Sequence, residues 1–183
     1  MIDFAQISRK QQTINSSFSL DGVGLHSGKK VQITVQPSDS NSGIKFIRTD
    51  LKKNNIIDAI WSNVSSTNLC TTISNSEGTS VSTIEHLMSA LSGMHVDNAN
   101  ILIDGPEVPI MDGSSLPFVE MFEKIGLLNQ KIDRKILFVK KEIMVSNNDS
   151  YAKIIPNNRF SIDFEIDFES HLVNKQACQL QLI

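Results

Sequence analysis

Alternating apolar and polar residues dominate the first third of the chain. Residues 13–47 alternate with a period of two and are interrupted by turns such as Asp21-Gly22, a pattern that is typical of short strands. The run VQITV at 31–35 is the clearest strand, and residues 69–73 predict another. This part of the chain is therefore predicted to consist of strands joined by tight turns.

The spacing of the apolar residues then changes to that of a helix. Ser82 and Glu85 have the spacing of a capping box, and Gly93 is a suitable stop, so the pattern predicts a helix over residues 83–92. The apolar stripe of this helix consists of Ile84, Leu87, Met88, Leu91 and Met94.

A strand and a second helix follow the first helix. The run NANILID at 98–104 predicts the strand, and the segment GPEVPIMDGSS at 105–115 predicts an irregular connection because its prolines restrict the backbone. Pro117 suits the first turn of the second helix. Asp112 or Ser114 is interpreted as a structural cap at its start.

A polar stretch at 129–134 marks a predicted boundary. Beyond it strand-like runs resume, and residues 160–168 alternate so strictly that they predict a half-buried strand. Fewer residues follow the boundary than precede it, and the chain stops within another alternation. We therefore expect one unit at 1–129 and the start of a truncated second unit at 130–183. The predicted apolar face of the strand contains Phe160, Ile162, Phe164, Ile166 and Phe168.

Composition and charge narrow the class of protein. Of the 183 residues, 40% are hydrophobic and 20% are charged, which is typical of a globular chain. The formal charge of -3 is too balanced to favour nucleic acid as a partner. The two cysteines, Cys70 and Cys178, cannot form a disulfide framework and favour a reducing compartment. With neither a signal-peptide pattern nor a run long enough to span a bilayer, the sequence predicts a cytoplasmic protein.

Glu85 and His86 are the first candidates for chemistry. At about 100° per residue they lie roughly 120–140° from the centre of the apolar stripe and point away from the core. Because neighbouring helix positions diverge by about 100°, the pair suits one metal ligand and one proton carrier better than two ligands of one ion. From these residues alone a structural interpretation is favoured, with Glu85 as a capping-box residue and His86 as a solvated side chain.

A second candidate is the glycine-rich segment 21–30, which contains three glycines, His26 and two lysines. It could cradle an anion, although it matches neither GxxxxGK[ST] nor GxGxxG, so a plain turn between strands is the simpler interpretation. Cys70 lies in a strand-like run, where a cysteine is usually a small buried hydrophobe.

Taken together, these segments resemble one family. DGVGLHSGKKVQITVQP, RTDL, LCTTI, STIEHLMSALSGMHVDN and GPEVPIMDGSSLPFVEMF occur in the order and spacing of the UDP-3-O-acyl-N-acetylglucosamine deacetylases, and NNRFSIDFEIDF continues the resemblance. These are zinc amidases that commit a cell to lipid A synthesis. The resemblance implies an α+β fold, in which each of two units is a two-layer sandwich of a small mixed sheet against two helices, with the active site between the units. The second unit would be incomplete here.

The resemblance also implies roles for single residues. Through the TIEHL motif, His86 corresponds to the first zinc ligand and Glu85 to the general base that deprotonates the metal-bound water. The substrate, UDP-3-O-acyl-N-acetylglucosamine, would contact His26 in the GLHSG turn, with Leu25 close by. Cys70 would form part of the wall. Lys141 would meet the diphosphate and Phe160 would pack on the nucleotide.

The sequence departs from the family at the metal. The other two zinc ligands belong to an H-K-x-x-x-D motif, and a later histidine acts as general acid; neither occurs in these 183 residues. Because a catalytic zinc ordinarily has three protein ligands, we expect weak zinc binding and no measurable deacetylation by this chain. The chain is also predicted to be monomeric. The alternative is a catalytically silent module that binds a nucleotide sugar or a protein partner through the turn at 24–28.

Overall fold

The computed structural model describes residues 10–181, which form two compact units that divide between Arg134 and Lys135. The polar stretch predicted as a boundary is not a linker. It belongs mostly to strand β10 (Leu127–Asp133), which pairs antiparallel with β1 (Lys10–Ile14). The assignment of residues 1–129 and 130–183 to successive deacetylase units stays a prediction.

A five-stranded mixed sheet forms the centre of the first unit. Its strands are β2 (Phe18–Val23), β3 (Lys30–Pro37), β4 (Ile44–Arg48), β5 (Ile56–Asp58) and β9 (Ala99–Ile103). The strand order is β2-β3-β9-β4-β5, and every pairing is antiparallel except that of β4 with β9.

A second, three-stranded sheet of the first unit consists of β6 (Val64–Ser66), β7 (Thr72–Ser74) and β8 (Ser80–Val81). The strand predicted at 69–73 is therefore mostly wrong. Leu69 has a φ of 62°, in the left-handed region that a continuous strand does not adopt, and Cys70 lies in the loop before β7.

Two helices pack on the central sheet. The first, α1 (Glu85–Gly93), begins two residues later than predicted, and the second is α2 (Leu116–Ile125). Pro117 lies in the first turn of α2, as predicted. The helix ends at Gly126, whose φ of 77° is readily adopted by glycine.

One hydrophobic core joins the sheet to the helices. Alternate residues of β3 and β9 are buried because successive side chains of a strand point to opposite faces. They share the core with both helices, and the rings of Phe18 and Phe122 meet edge to face at 5.5 Å. The predicted α+β architecture of a mixed sheet against two helices is confirmed for this unit. Its largest fully buried side chains include Phe46, Phe118, Phe122, Ile33, Leu87, Leu91 and Ile101.

Four strands form the described part of the second unit. They pair as two antiparallel hairpins, β11 (Ile143–Asn147) with β12 (Ser150–Ile154) and β13 (Ser161–Asp167) with β14 (Lys175–Gln181).

The half-burial predicted for residues 160–168 is wrong. The strand forms, but Phe164 in β13 is 61% exposed, and so is Phe160 just before it. Alternation identifies a strand and the face it would bury; burial itself also requires another layer on that face. That the unit is an incomplete copy of the first stays a prediction.

No helix within residues 10–181 is long and apolar enough to cross a bilayer.

Asn98 is the polar anchor of the first unit. Its side chain is buried, donates to Gln11 and Gln130, and accepts from the backbone N–H of Gly43 at 2.8 Å. These bonds tie together β1, β10 and the start of β4, whose ends would otherwise bury unpaired polar groups.

We expect Asn98→Ala to lower the free energy of unfolding by about 3 kcal/mol, because it leaves the N–H of Gly43 and Oε1 of Gln130, both in part-buried bonds, without their partner. Urea unfolding of this chain measures the change. Asn157→Ala is the control, since Asn157 is exposed and its side chain bonds only to nearby Ser161 and to the backbone N–H of Asn158 in the second unit. An equal effect of the two substitutions would contradict the role of Asn98.

Candidate functional site

Glu85 and His86 are the first two residues of α1. Both side chains are half-buried, whereas Ile84 and Leu87 on either side of them belong to the core. Neither side chain is fully buried, and the predicted direction of the pair, away from the helix's own core stripe, stays a prediction.

The capping box predicted at the start of α1 is absent. Ile84 occupies the N-cap position without a side-chain cap, and the Ser82 hydroxyl donates instead to the carbonyl of Pro106. The Oε2 atom of Glu85 accepts a hydrogen bond from the backbone N–H of Thr71 at 3.0 Å. Helix capping therefore does not account for Glu85, because its carboxylate turns toward the loop before β7.

This bond brings Cys70 next to the pair. Thr71 follows Cys70 directly, and its carbonyl also accepts from the N–H of Ile84. Cys70 is half-buried, and its Sγ lies 3.8 Å from the hydroxyl of Thr72. The structure thus places Cys70 beside the start of α1, while its proposed contact with substrate stays a prediction.

The backbone just before α1 is strained. Thr83 has a φ of 57°, which is rare for a β-branched residue, and its side chain is only 2% exposed. Its hydroxyl donates to Oε1 of Glu107 at 3.0 Å. Such a conformation costs about 1–3 kcal/mol and persists where surrounding contacts hold it, commonly at functional sites.

Glu107 joins this strained segment to the glycine-rich turn. The turn is closed by the N–H of Gly28 donating to the carbonyl of Gly24. The backbone N–H groups of His26 and Ser27 donate to the two carboxylate oxygens of Glu107, both at 2.8 Å. These two donors do cradle an anion, but that anion is a side chain of the same unit.

Two glycines allow the close approach of residues 105–113 to the end of β2. A Cβ at Gly24 would lie 2.8 Å from Cδ of Glu107, and a Cβ at Gly22 would lie 2.6 Å from Cβ of Pro109. The segment that the sequence assigned to a structural connection therefore packs directly on the turn that carries Leu25 and His26.

Burial and hydrogen bonding shift the pKa of Glu107, which is 3% exposed, in opposite directions. Burial raises the pKa of its carboxyl group, but the bonds from His26, Ser27 and Thr83 outweigh burial and hold the pKa below its usual value. The carboxylate is therefore the stable form near neutral pH.

Asp112 is the second acidic group that the connection brings to the site. Both the N–H and the hydroxyl of Ser114 donate to it, and these bonds lower its pKa, with a smaller contribution from the nearby imidazole of His86. Its proximity to His86 was not foreseen from the sequence, which assigned Asp112 or Ser114 to helix capping.

Glu107 is the residue that sequence reasoning missed. The available signal was a lone carboxylate in an otherwise apolar stretch between Pro106 and Pro109. That pattern indicates a buried charge, but it does not identify the donors, which lie far away in the sequence.

The remaining predicted residues are exposed. Leu25 and His26 lie at the tip of the glycine-rich turn, and its backbone is linked through Glu107 to Thr83, just before α1. Lys141 and Phe160 belong to the second unit. All of their substrate contacts stay predictions.

The donor set for a metal is incomplete in residues 10–181. No group of three or more His, Cys, Asp or Glu side chains there is arranged to hold a metal ion. His86 supplies one imidazole, whereas a catalytic zinc ordinarily takes three protein ligands. The described residues therefore do not fit a complete zinc site.

Comparison with known proteins identifies the family. The family model described as UDP-3-O-acyl N-acetylglycosamine deacetylase matches residues 11–183. The chain belongs to this deacetylase family. The resemblance found in the motifs of the sequence is thus confirmed.

Curated relatives agree with this family assignment. Proteins from Syntrophus aciditrophicus, Shewanella halifaxensis and Pasteurella multocida, each named UDP-3-O-acyl-N-acetylglucosamine deacetylase, are 45%, 44% and 42% identical to this chain. The matches cover 94%, 86% and 92% of this chain but only 54%, 52% and 55% of the relatives. The chain spans about half the length of the curated relatives that it matches.

We expect Glu107→Gln to flatten the acid limb of the stability profile. Because the folded pKa lies below the unfolded value of about 4.3, the carboxylate stabilises the fold above that pH, and this contribution is lost as the pH falls through the folded pKa. The variant should be less stable by about 1–3 kcal/mol at pH 7, with the difference shrinking toward pH 3. Urea unfolding between pH 3 and 7 measures it, and parallel profiles would contradict the assignment.

Proposed function

We propose that this chain carries the Glu85–His86 part of a deacetylase site that hydrolyses the N-acetyl group of UDP-3-O-acyl-N-acetylglucosamine, in lipid A synthesis. The observation that carries the proposal is the carboxylate of Glu85, which lies beside an imidazole at the start of α1 and is not used to cap the helix. Family membership supplies the substrate class, because the matched relatives are named for this reaction.

Glu85 is suited to accept a proton. Hydrolysis of an amide requires water to attack the carbonyl carbon, and a carboxylate within hydrogen-bond reach of that water accepts its proton as the bond forms. The N–H of Thr71 orients Glu85 through one oxygen, and no other hydrogen bond is recorded to the carboxylate within residues 10–181. The second oxygen therefore serves as the proton acceptor in this proposal.

His86 is proposed as one zinc ligand. A bound zinc would polarise the amide carbonyl and lower the pKa of water. Since the described residues do not complete such a site, the other donors and the acid that protonates the leaving amine must come from outside this set. Asp112, whose charge interacts with that of His86, is proposed to orient the imidazole.

The substrate-binding assignments follow from chemistry. The exposed side chains of Leu25 and His26 are proposed to contact the substrate, with Cys70 in the wall. The ammonium group of Lys141 suits a diphosphate, and the ring of Phe160 suits the flat nucleotide base. We also propose that the protein is cytoplasmic and monomeric and that it has no nucleic-acid partner.

The alternative function, a silent module that binds through residues 24–28, loses support from the geometry. Its attraction was a set of backbone N–H groups open to a phosphate. Those of His26 and Ser27 are already bonded to Glu107, so an incoming anion would have to displace a buried carboxylate.

We expect this chain alone to show no measurable hydrolysis of UDP-3-O-acyl-N-acetylglucosamine. Fused to the part of the Syntrophus aciditrophicus relative that lies beyond the matched region, it should hydrolyse the substrate. Glu85→Gln in the fused protein should lower kcat by about 10²- to 10⁴-fold, because the proton acceptor is lost. Glu120→Gln, on the exposed face of α2, is the matched control. Full activity of the Glu85 variant would refute the assigned role.

Zinc content tests the metal assignment separately. We expect much less than one zinc per molecule in this chain and about one in the fused protein, falling on His86→Ala, because each lost ligand weakens the site. Elemental analysis after dialysis measures this. One tightly held zinc per molecule in this chain, together with turnover, would overturn the account of the incomplete donor set.

A further inference from the structure

We propose that Glu107 is a positioning residue of this site, whose buried carboxylate holds the His26 turn in a fixed orientation to Glu85 and His86. The inference rests on the proposed function for its catalytic consequence. The positioning itself follows from the hydrogen bonds of Glu107 and from the backbone around it, independently of that function.

The hydrogen-bond donors to Glu107 are all uncharged groups. Glu107 is 3% exposed, and none of the ion pairs recorded between residues 10 and 181 includes it. A buried charge costs free energy unless its oxygens are hydrogen-bonded. The donors that meet this cost are neutral, and they come from two segments only: the turn that carries His26 and the residue two positions before Glu85.

The strained backbone of Thr83 links Glu107 to the start of α1. A left-handed backbone at this residue sets the direction in which the chain enters α1, and hence the orientation of Glu85 and His86. Its hydroxyl is bonded to the same Oε1 atom that accepts from His26, so one oxygen joins the two sides of the site.

The backbone on both sides of Glu107 is held in place by hydrogen bonds. The N–H of Ser82 donates to the carbonyl of Pro106, and the N–H of Val108 donates to the carbonyl of Ser82, so both neighbours of Glu107 are anchored to residue 82. On the other side, the absence of a side chain at Gly24 lets the turn close onto the carboxylate. The carboxylate thus acts as a rigid spacer.

Three variants test the proposal. Glu107→Gln preserves shape, but its NH₂ group cannot accept, so at least one of the N–H groups of His26 and Ser27 loses its acceptor. Thr83→Val removes only the bond on the α1 side and keeps a β-branched side chain. Glu120→Gln makes the same chemical change on an exposed carboxylate and is the control.

The first readout uses this chain and does not depend on activity. By NMR, Glu107→Gln should speed amide exchange of His26 and Ser27 by at least about tenfold and shift the imidazole signals of both His26 and His86. Thr83→Val should shift the His86 signals with little effect on the two amides. If Glu107→Gln, shown to be folded by circular dichroism, leaves these signals as they are in Glu120→Gln, the positioning role is refuted.

The second readout is turnover in the fused protein. At a temperature where the variants remain folded, Glu107→Gln should lower kcat by about 10- to 100-fold, with KM changed by less than about threefold, because misplacement of reacting groups by about 1 Å has effects of this size. A residue that contributed only to stability would leave kcat of the folded protein unchanged, and that result overturns the proposal. An inactive wild-type fused protein, combined with the expected amide and imidazole changes, overturns the proposed function but supports the geometric role.

Discussion

A single carboxylate, buried without a cation beside it, links the segments that carry the candidate chemistry. The charge of Glu107 is tolerable in the interior because two backbone N–H groups and one hydroxyl bond to it. Two of these donors belong to the His26 turn, and the third belongs to Thr83, just before α1. Because all three bond to the same carboxylate, the turn is held in a fixed position relative to the start of α1.

The core explains why such a constellation is stable. Leu87 and Leu91 pack α1 on the central sheet. Glu85 and His86 lie in the first turn of the helix and are not part of this packing. The hydrophobic core and the hydrogen bonds around Glu107 thus have different roles. Apolar burial holds the helix in place, whereas directional bonds orient the pair at its end.

Local pattern predicted the elements well where one periodic face is buried. The strand β3 and both helices were recovered because their apolar residues recur with the correct period. The pattern failed where tertiary contacts decide. Residues 129–133 look like a polar linker, yet they complete a strand because β1 provides a pairing partner, and the face of β13 was predicted to be half-buried but is exposed.

For the site, too, some features follow from local sequence pattern and others only from the tertiary structure. The sequence by itself determined the family and the α+β class, because motif order and the period of the apolar residues are properties of the chain. Only the tertiary structure decided that Glu85 is not a cap and that the glycine-rich turn binds Glu107. Those bonds join residues 14 and about 80 positions apart, and no local pattern encodes which buried acceptor a distant N–H group will meet.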